Sequence, residues 1–332
     1  MDSKVFLNQP LSINECLELV GNNGWYQFKT AFMLVLVPLT FAMHNFETVF
    51  IASIPKFTCA DDIEPICQNS TMMCDKDNQI ALVEKSYYNS SVITDFELYC
   101  DKESVPSRLV SIYFCGGVIG SVLFSNIADS KGRRVSTRWA ILTTALASLL
   151  QMLASNWQQY AFLRFLIGAG NIGAFQSGIC LLLESVAPQK RASAGKFYQI
   201  SAVVGYALLP SIAHYIQDWR ELVFFISLLS LPGLVFIYLF VDESLSYLVS
   251  SGEINGAKLL LVKIAKCNGY PGDFEALKEL EFEQIEVMET VSWRKLFTHS
   301  SNSRILILSN MYIWFAAAFA YFGISLNHRD RR

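Results

Sequence analysis

The sequence predicts an all-α polytopic membrane protein: six membrane-spanning helices, a long polar connection, then a seventh span. Three observations carry this prediction. Of 332 residues, 52% are hydrophobic and only 17% are charged, with a mean hydropathy of +0.33; an ordinary soluble domain carries roughly 25% charged residues. Seven apolar stretches approach the ~20 residues that take a helix across ~30 Å of hydrocarbon. Basic residues gather in alternate connections between those stretches. The same composition excludes disorder, collagen, coiled coil and a small disulfide scaffold. A net charge of -3 argues against a nucleic-acid partner. The chain has no P-loop, no His-Glu-x-x-His, no Gly-x-Ser-x-Gly and no Cys-x-x-Cys. No enzyme, cofactor or metal site is therefore expected.

The apolar stretches run over about residues 31–53, 109–128, 139–155, 160–183, 198–216, 222–241 and 305–326. Helices are the economical way to satisfy their backbone groups in lipid. Residues 1–30 are polar and no small-residue cleavage site follows 31–53, so this stretch reads as a retained span, not a signal peptide. The 129–138 connection carries Lys131, Arg133, Arg134 and Arg138, and 184–196 carries Lys190, Arg191 and Lys196. Connection 156–159 has no basic residue and 217–221 has only Arg220. The positive-inside rule then places the basic connections and residues 1–30 in the cytoplasm.

Segment 55–107 becomes extracellular. It holds both Asn-x-Ser/Thr sequons, at Asn69 and Asn89, together with Cys59, Cys67, Cys74 and Cys100. N-glycosylation and two disulfides, with three possible pairings, are expected there. Cys16, Cys115, Cys180 and Cys267 are isolated and read as free thiols acting as small hydrophobes. Residues 242–304 form a polar cytoplasmic connection. Apolar positions at helical spacing predict short amphipathic helices over 253–267 and 273–290, parted by Gly269-Tyr270-Pro271-Gly272. The seventh span, 305–326, precedes a short tail, 327–332.

Charged residues at the helix ends carry the functional argument. Asp129-Ser130-Lys131-Gly132-Arg133-Arg134 joins spans two and three. Gly132 allows a tight turn, Arg133 and Arg134 stay at the interface, and Asp129 is placed to meet a cation or a helix N-terminus. Such a turn is either a latch that breaks as the cytoplasmic side opens or a simple topology signal. Glu184 after span four, Arg191 beyond it and Glu243 after span six are placed for ion pairs, structural or gating. Arg164 sits just inside span four, where a lone Arg costs about 2.5–3.5 kcal/mol unless it snorkels or pairs. Snorkelling to the outer interface and a bundle-facing ion pair are both open readings.

In this order, the residues resemble the organic ion transporters of the major facilitator superfamily, solute carrier family 22 (organic cation, anion and carnitine transporters). The resemblance runs from about residue 11 to 327. It rests on Pro55 and Cys59, on Ser91-Val92-Ile93-Thr94-Asp95-Phe96 with Leu98 and Cys100, and on the 129–134 turn. It continues through Arg164-Phe165-Leu166-Ile167-Gly168, Glu184 to Arg191, Tyr198-Gln199, Asp218-Trp219-Arg220, Glu243-Ser244 and Tyr321-Phe322-Gly323-Ile324-Ser325-Leu326-Asn327. Three departures stand out. Ser125 replaces the Gly that opens the family's latch, Leu245-Ser246-Tyr247 replaces its Pro-Arg-Trp, and His328 to Arg332 leave its pattern.

The resemblance implies the N-terminal six-helix half of the superfamily fold plus a seventh span. It implies substrate near the midplane, between two rocking six-helix halves. Aromatic and amide side chains suit small organic ions. Asn45, Glu47, Phe175, Gln176, Gln199, Tyr206, Trp314 and Tyr321 are the expected lining residues; Phe175, Gln199 and Tyr321 match positions of the family's pathway. A six-plus-six carrier continues for five more spans. The expectation is thus alternating-access movement of small organic ions, without ATP and incomplete in this form. The alternatives are a truncated isoform that binds or perturbs a full-length carrier, and an incomplete reading frame. The acidic residue of cation-selective members lies in a later span, so charge preference stays open. The plasma membrane is the location the resemblance implies.

Overall fold

The computed structural model describes residues 10–21, 24–52, 90–98, 100–283 and 301–327. Asn69, Asn89, Cys59, Cys67, Cys74 and the tail 328–332 lie outside the described residues, as does the side chain of Cys100. The chain divides into two units, Met1–Glu283 and Gln284–Arg332.

In the first unit, α1 (Ile13–Leu19) starts with a capping box: Glu15 N donates to Ser12 Oγ at 3.3 Å and Ser12 N donates to Glu15 Oε2 at 2.9 Å. The first predicted span is one rod of α2 (Trp25–Leu34), α3 (Leu36–Phe46) and α4 (Thr48–Ile51). Its irregularity near Val35 has a local cause: Pro38 lacks the N–H that would meet the Leu34 carbonyl. A short helix, α5 (Val92–Asp95), precedes α6 (Val105–Lys131), α7 (Arg133–Gln151), α8 (Trp157–Glu184), α9 (Pro188–Tyr215) and α10 (Trp219–Leu239). Their starts follow the sequence: Pro188 occupies the first position of α9, and the Asn156 and Asp218 side chains cap α8 and α10. Three shorter helices follow, α11 (Leu245–Ser250), α12 (Ile254–Asn268) and α13 (Phe274–Glu279). The second unit contains α14 (Ser301–Asn327), 27 residues long.

Among the described residues, five helices are long and apolar enough to cross a membrane: Trp25–Ile51, Val105–Lys131, Trp157–Glu184, Trp219–Leu239 and Asn302–Ala320. The predicted third and fifth spans correspond to α7 and α9, of 19 and 28 residues, which are more polar. In α7 much of that polarity is turned inward. Ser136 pairs with Ser177 at 2.8 Å and donates to the Phe124 carbonyl, and Ser148 meets Ser227. Small residues bring α6 and α8 into backbone contact. A Cβ at Gly116 would run into the Phe165 carbonyl, and one at Gly168 into the Tyr113 carbonyl.

At one end of the helices, the sequence stretches around Asp95 and Trp219 meet. Trp219 Nε1 donates to Asp95 at 2.8 Å, Arg220 pairs with the same carboxylate at 3.3 Å, and Ser90 donates to Asp218 at 2.6 Å. At the other, basic end, α1 and α11–α13 build their own apolar core from Leu17, Val20, Leu245, Leu261 and Leu277, among others. Asn268 ties this core to the first span. Its side chain accepts the Tyr26 N–H at 3.0 Å and donates to the Val20 carbonyl and to Gln27 Oε1.

The helix predicted over 273–290 stops at Glu279. Beyond it the chain is extended and pairs with residue 11: Leu11 N donates to the Glu281 carbonyl at 3.0 Å and Glu283 N to the Leu11 carbonyl at 2.9 Å. Leu280 and Phe282 are buried and Glu281 is exposed, so alternation of period two overrides the helical spacing. Residues 284–290 lie outside the described residues.

Candidate functional site

Arg164 lies seven residues into α8, ~10 Å along the helix. It is 1% exposed, and its guanidinium donates to the fully buried Glu47 and to Thr48. The rings of Tyr113 and Tyr160 face it at 5.2 and 5.9 Å. His44, one turn before Glu47, reaches its carboxylate at 3.1 Å and Ser230 at 3.4 Å. The bundle-facing ion pair is therefore the arrangement Arg164 adopts. Burial of the two charges is tolerable only because each meets the other and polar neighbours supply further hydrogen bonds. Arg164 Nε has no hydrogen-bond partner among the described residues.

On α3, α8 and α9, three of the expected lining residues make contacts within the bundle, in two places. Asn45 donates to the Tyr206 hydroxyl at 3.0 Å, and Tyr206 meets Phe46 edge-on at 5.4 Å. Phe175 packs on Phe41 at 4.4 Å and on Tyr198 at 5.3 Å. Asn45, Phe175 and Tyr206 are half-buried, whereas Gln176 on α8 and Gln199 on α9 are exposed. Trp314 and Tyr321 lie on α14 of the second unit; Trp314 is 75% exposed, and the Tyr321 side chain is outside the described residues.

The 129–134 turn forms a second polar cluster. Gly132 takes φ +104°, a left-handed conformation that favours glycine, and a Cβ there would also strike the Glu243 carboxylate. That carboxylate accepts the Arg134 N–H at 3.0 Å, at the start of α7. Arg133 pairs with Glu184 at 3.1 Å and with Asp129 at 3.5 Å, and Ser244 donates to Glu184. Asp129 is 76% exposed and meets this cation on its own turn. Arg191 does not join Glu184; it donates to the Leu183 carbonyl and to Asn14 Oδ1. Tyr247, where the family carries Trp, keeps an aromatic contact: its ring faces Arg133 at 5.5 Å and its hydroxyl donates to the Ser130 carbonyl. Burial and then the Glu243 and Glu253 carboxylates push the Tyr247 hydroxyl above its usual range.

The description "Sugar (and other) transporter" matches residues 33–324, most of the chain. The chain belongs to this transporter family. Its family and its apolar helices make it a multi-pass membrane protein of a transporter family. Its curated relatives include organic ion carriers. The "Organic cation transporter-like protein" of Drosophila melanogaster is 26% identical over 81% of this chain and 53% of its own length. "Solute carrier family 22 member 6-A" of Xenopus laevis is 25% identical over 96% of this chain and 65% of its own. "Organic anion transporter 3" of Homo sapiens is 27% identical over 95% and 64%. This chain thus spans about half to two-thirds of their lengths. Among solved structures, the partially occluded, inward-open xylose transporter XylE of E. coli matches with a TM-score of 0.55 and 17% identity, over 76% of this chain and 58% of that one. That likeness establishes the fold alone.

Sequence reasoning singled out Glu47 and Arg164 but passed over His44, Thr48, Tyr113 and Ser230, which complete their network. The available signal was the spacing: His44 precedes Glu47 by three residues, hence on one helix face. An ionisable residue within an apolar run is a functional hypothesis by default.

Proposed function

We propose that this chain supplies one wall of a carrier that moves small organic ions across the plasma membrane by alternating access. The observation that carries the reading is the buried Glu47–Arg164 pair on the same span as the half-buried Asn45, which is hydrogen-bonded to Tyr206. Charged groups in a span are costly enough that a bundle keeps them mainly for transport or signalling. The relatives' names, organic cation and organic anion transporters, favour small organic ions as cargo. An aromatic and amide wall suits such ions. We take the Arg133–Glu184–Glu243 cluster as the cytoplasmic latch, with Asp129, Gly132 and Arg134 as its frame and Arg191 outside it. Residues 55–107 are then the extracellular, glycosylated and disulfide-bonded loop, 242–304 is the cytoplasmic connection, and α7 and α9 are spans.

The test joins residues 1–332 to the remaining length of the Drosophila relative and measures uptake in cells. One probe is a permanently charged quaternary ammonium, the other an aromatic carboxylate. Saturable uptake of one probe, cut at least ~10-fold by Glu47→Gln at unchanged surface abundance, is expected. Uptake indifferent to Glu47→Gln contradicts the reading. If instead residues 1–332 co-expressed with that full-length relative suppress its uptake, a partner-perturbing role is favoured.

A further inference from the structure

α7 and α10 leave a groove between them, with a volume of about 620 Å³. Val135, Trp139, Leu142, Leu234, Val235 and Leu239 line it, and the lining is almost wholly apolar. From Val135 to Leu142 it runs ~10 Å along the helix. Trp139 and Tyr238 on its rim are 58% and 63% exposed, as befits aromatic residues at a membrane–water interface.

Two arginines converge at this end of the groove. Arg138 lies over the Tyr238 ring at 4.6 Å and donates to the Tyr238 carbonyl at 2.8 Å. Arg134, one turn earlier, donates to the same carbonyl at 2.8 Å. Neither guanidinium forms an ion pair among the described residues; Glu243 takes the backbone N–H of Arg134, not its side chain. Nε of each is buried without a hydrogen-bond partner among the described residues. Lys29, facing Phe240 at 5.4 Å, adds a third cation near the end of α10. The carbonyls closing α10 offset part of this charge. The Glu243 carboxylate at the start of α7 offsets a further part, and three cations against one such carboxylate leave the mouth of the apolar slot net positive.

We propose that the groove binds an anionic phospholipid. One acyl chain fills the slot, and the headgroup phosphate lies against Arg134 and Arg138, whose planar forks suit phosphate oxygens. The charge complementarity selects an anionic over a zwitterionic headgroup, and the apolar length selects a lipid over free phosphate. The leaflet, cytoplasmic, rests on the orientation proposed above; the binding itself does not.

The full chain, purified in detergent, is mixed with phosphatidylserine or phosphatidylcholine of matched acyl chains, and bound lipid is counted by native mass spectrometry. Phosphatidylserine should be retained in preference. The preference should fall roughly fivefold with Arg138→Gln and again with Arg134→Gln. Val235→Trp, which fills the slot, should lower binding of both lipids. Helical circular dichroism checks that each variant is folded, and Arg138→Lys, with the charge but not the fork, should keep part of the preference if the Gln variant does not fold. Equal retention of both lipids by the unaltered chain overturns the proposal, as does a preference that survives both Arg138→Gln and Val235→Trp. The detergent assay is blind to orientation; thiol labelling of Ser130→Cys from either side of an intact membrane tests that separately.

Discussion

Removing one side of the Glu47–Arg164 pair leaves the other buried and charged, a change that costs about 3–5 kcal/mol in proteins generally. Glu47→Gln and Arg164→Met are each expected to lower the thermal midpoint of the detergent-solubilised chain by several degrees. The double variant should be more stable than the sum of the two losses, read by a thermal shift assay. If the two losses simply add, the residues do not form one interacting unit. A second prediction concerns Cys16. Burial, followed by the nearby Glu15 charge, pushes its thiol up to about 11. At pH 7.5 it should resist a maleimide that modifies the exposed Cys267. The neutral thiol is the form that the fold favours. Its contribution to stability is therefore full below the ordinary thiol range and is lost as pH rises through about 11.

The long helices were legible as elements because the apolar runs match the membrane thickness; the caps at Asn156, Pro188 and Asp218 are a further signal that the apolar runs alone do not use. Their ends were not, because helices continue through the polar interface after the apolar run stops: α6 runs on to Lys131 and α8 starts at Trp157. Segment 280–283 was misread because its partner, Leu11, is about 270 residues away, beyond any local pattern. The α6–α8 seam was also not read, although Gly116-x-x-x-Gly120 is written plainly in the chain. Gly120→Val should drive a side chain into the Ala169 backbone and lower stability by about 1–3 kcal/mol, measured by thermal unfolding. Unchanged stability would mean the two helices are not held this close. Asn268→Ala should strand the buried Tyr26 N–H and free α12 from the first span, seen as faster hydrogen exchange over 11–21 with little change in α8.

For the whole molecule, the site was legible where chemistry is local and illegible where it depends on assembly. Glu47 and Arg164 stand out as charges in apolar runs, yet only the fold reveals that 117 positions of separation close into one ion pair. Side-chain type alone points to Asn45 and Tyr206, and the fold joins them at 3.0 Å. In the proposed carrier, this wall faces an organic ion during transport. Its most direct test uses the carrier completed with the relative's remaining length, with Cys115, Cys180 and Cys267 changed to Ser. In that background, the modification rate of Asn45→Cys by a membrane-permeant thiol reagent is measured with and without the transported ion. The account predicts that saturating ion slows the reaction at least ~5-fold and leaves a cysteine placed at Ser130 unaffected. A rate at Asn45→Cys that no transported ion alters would contradict it.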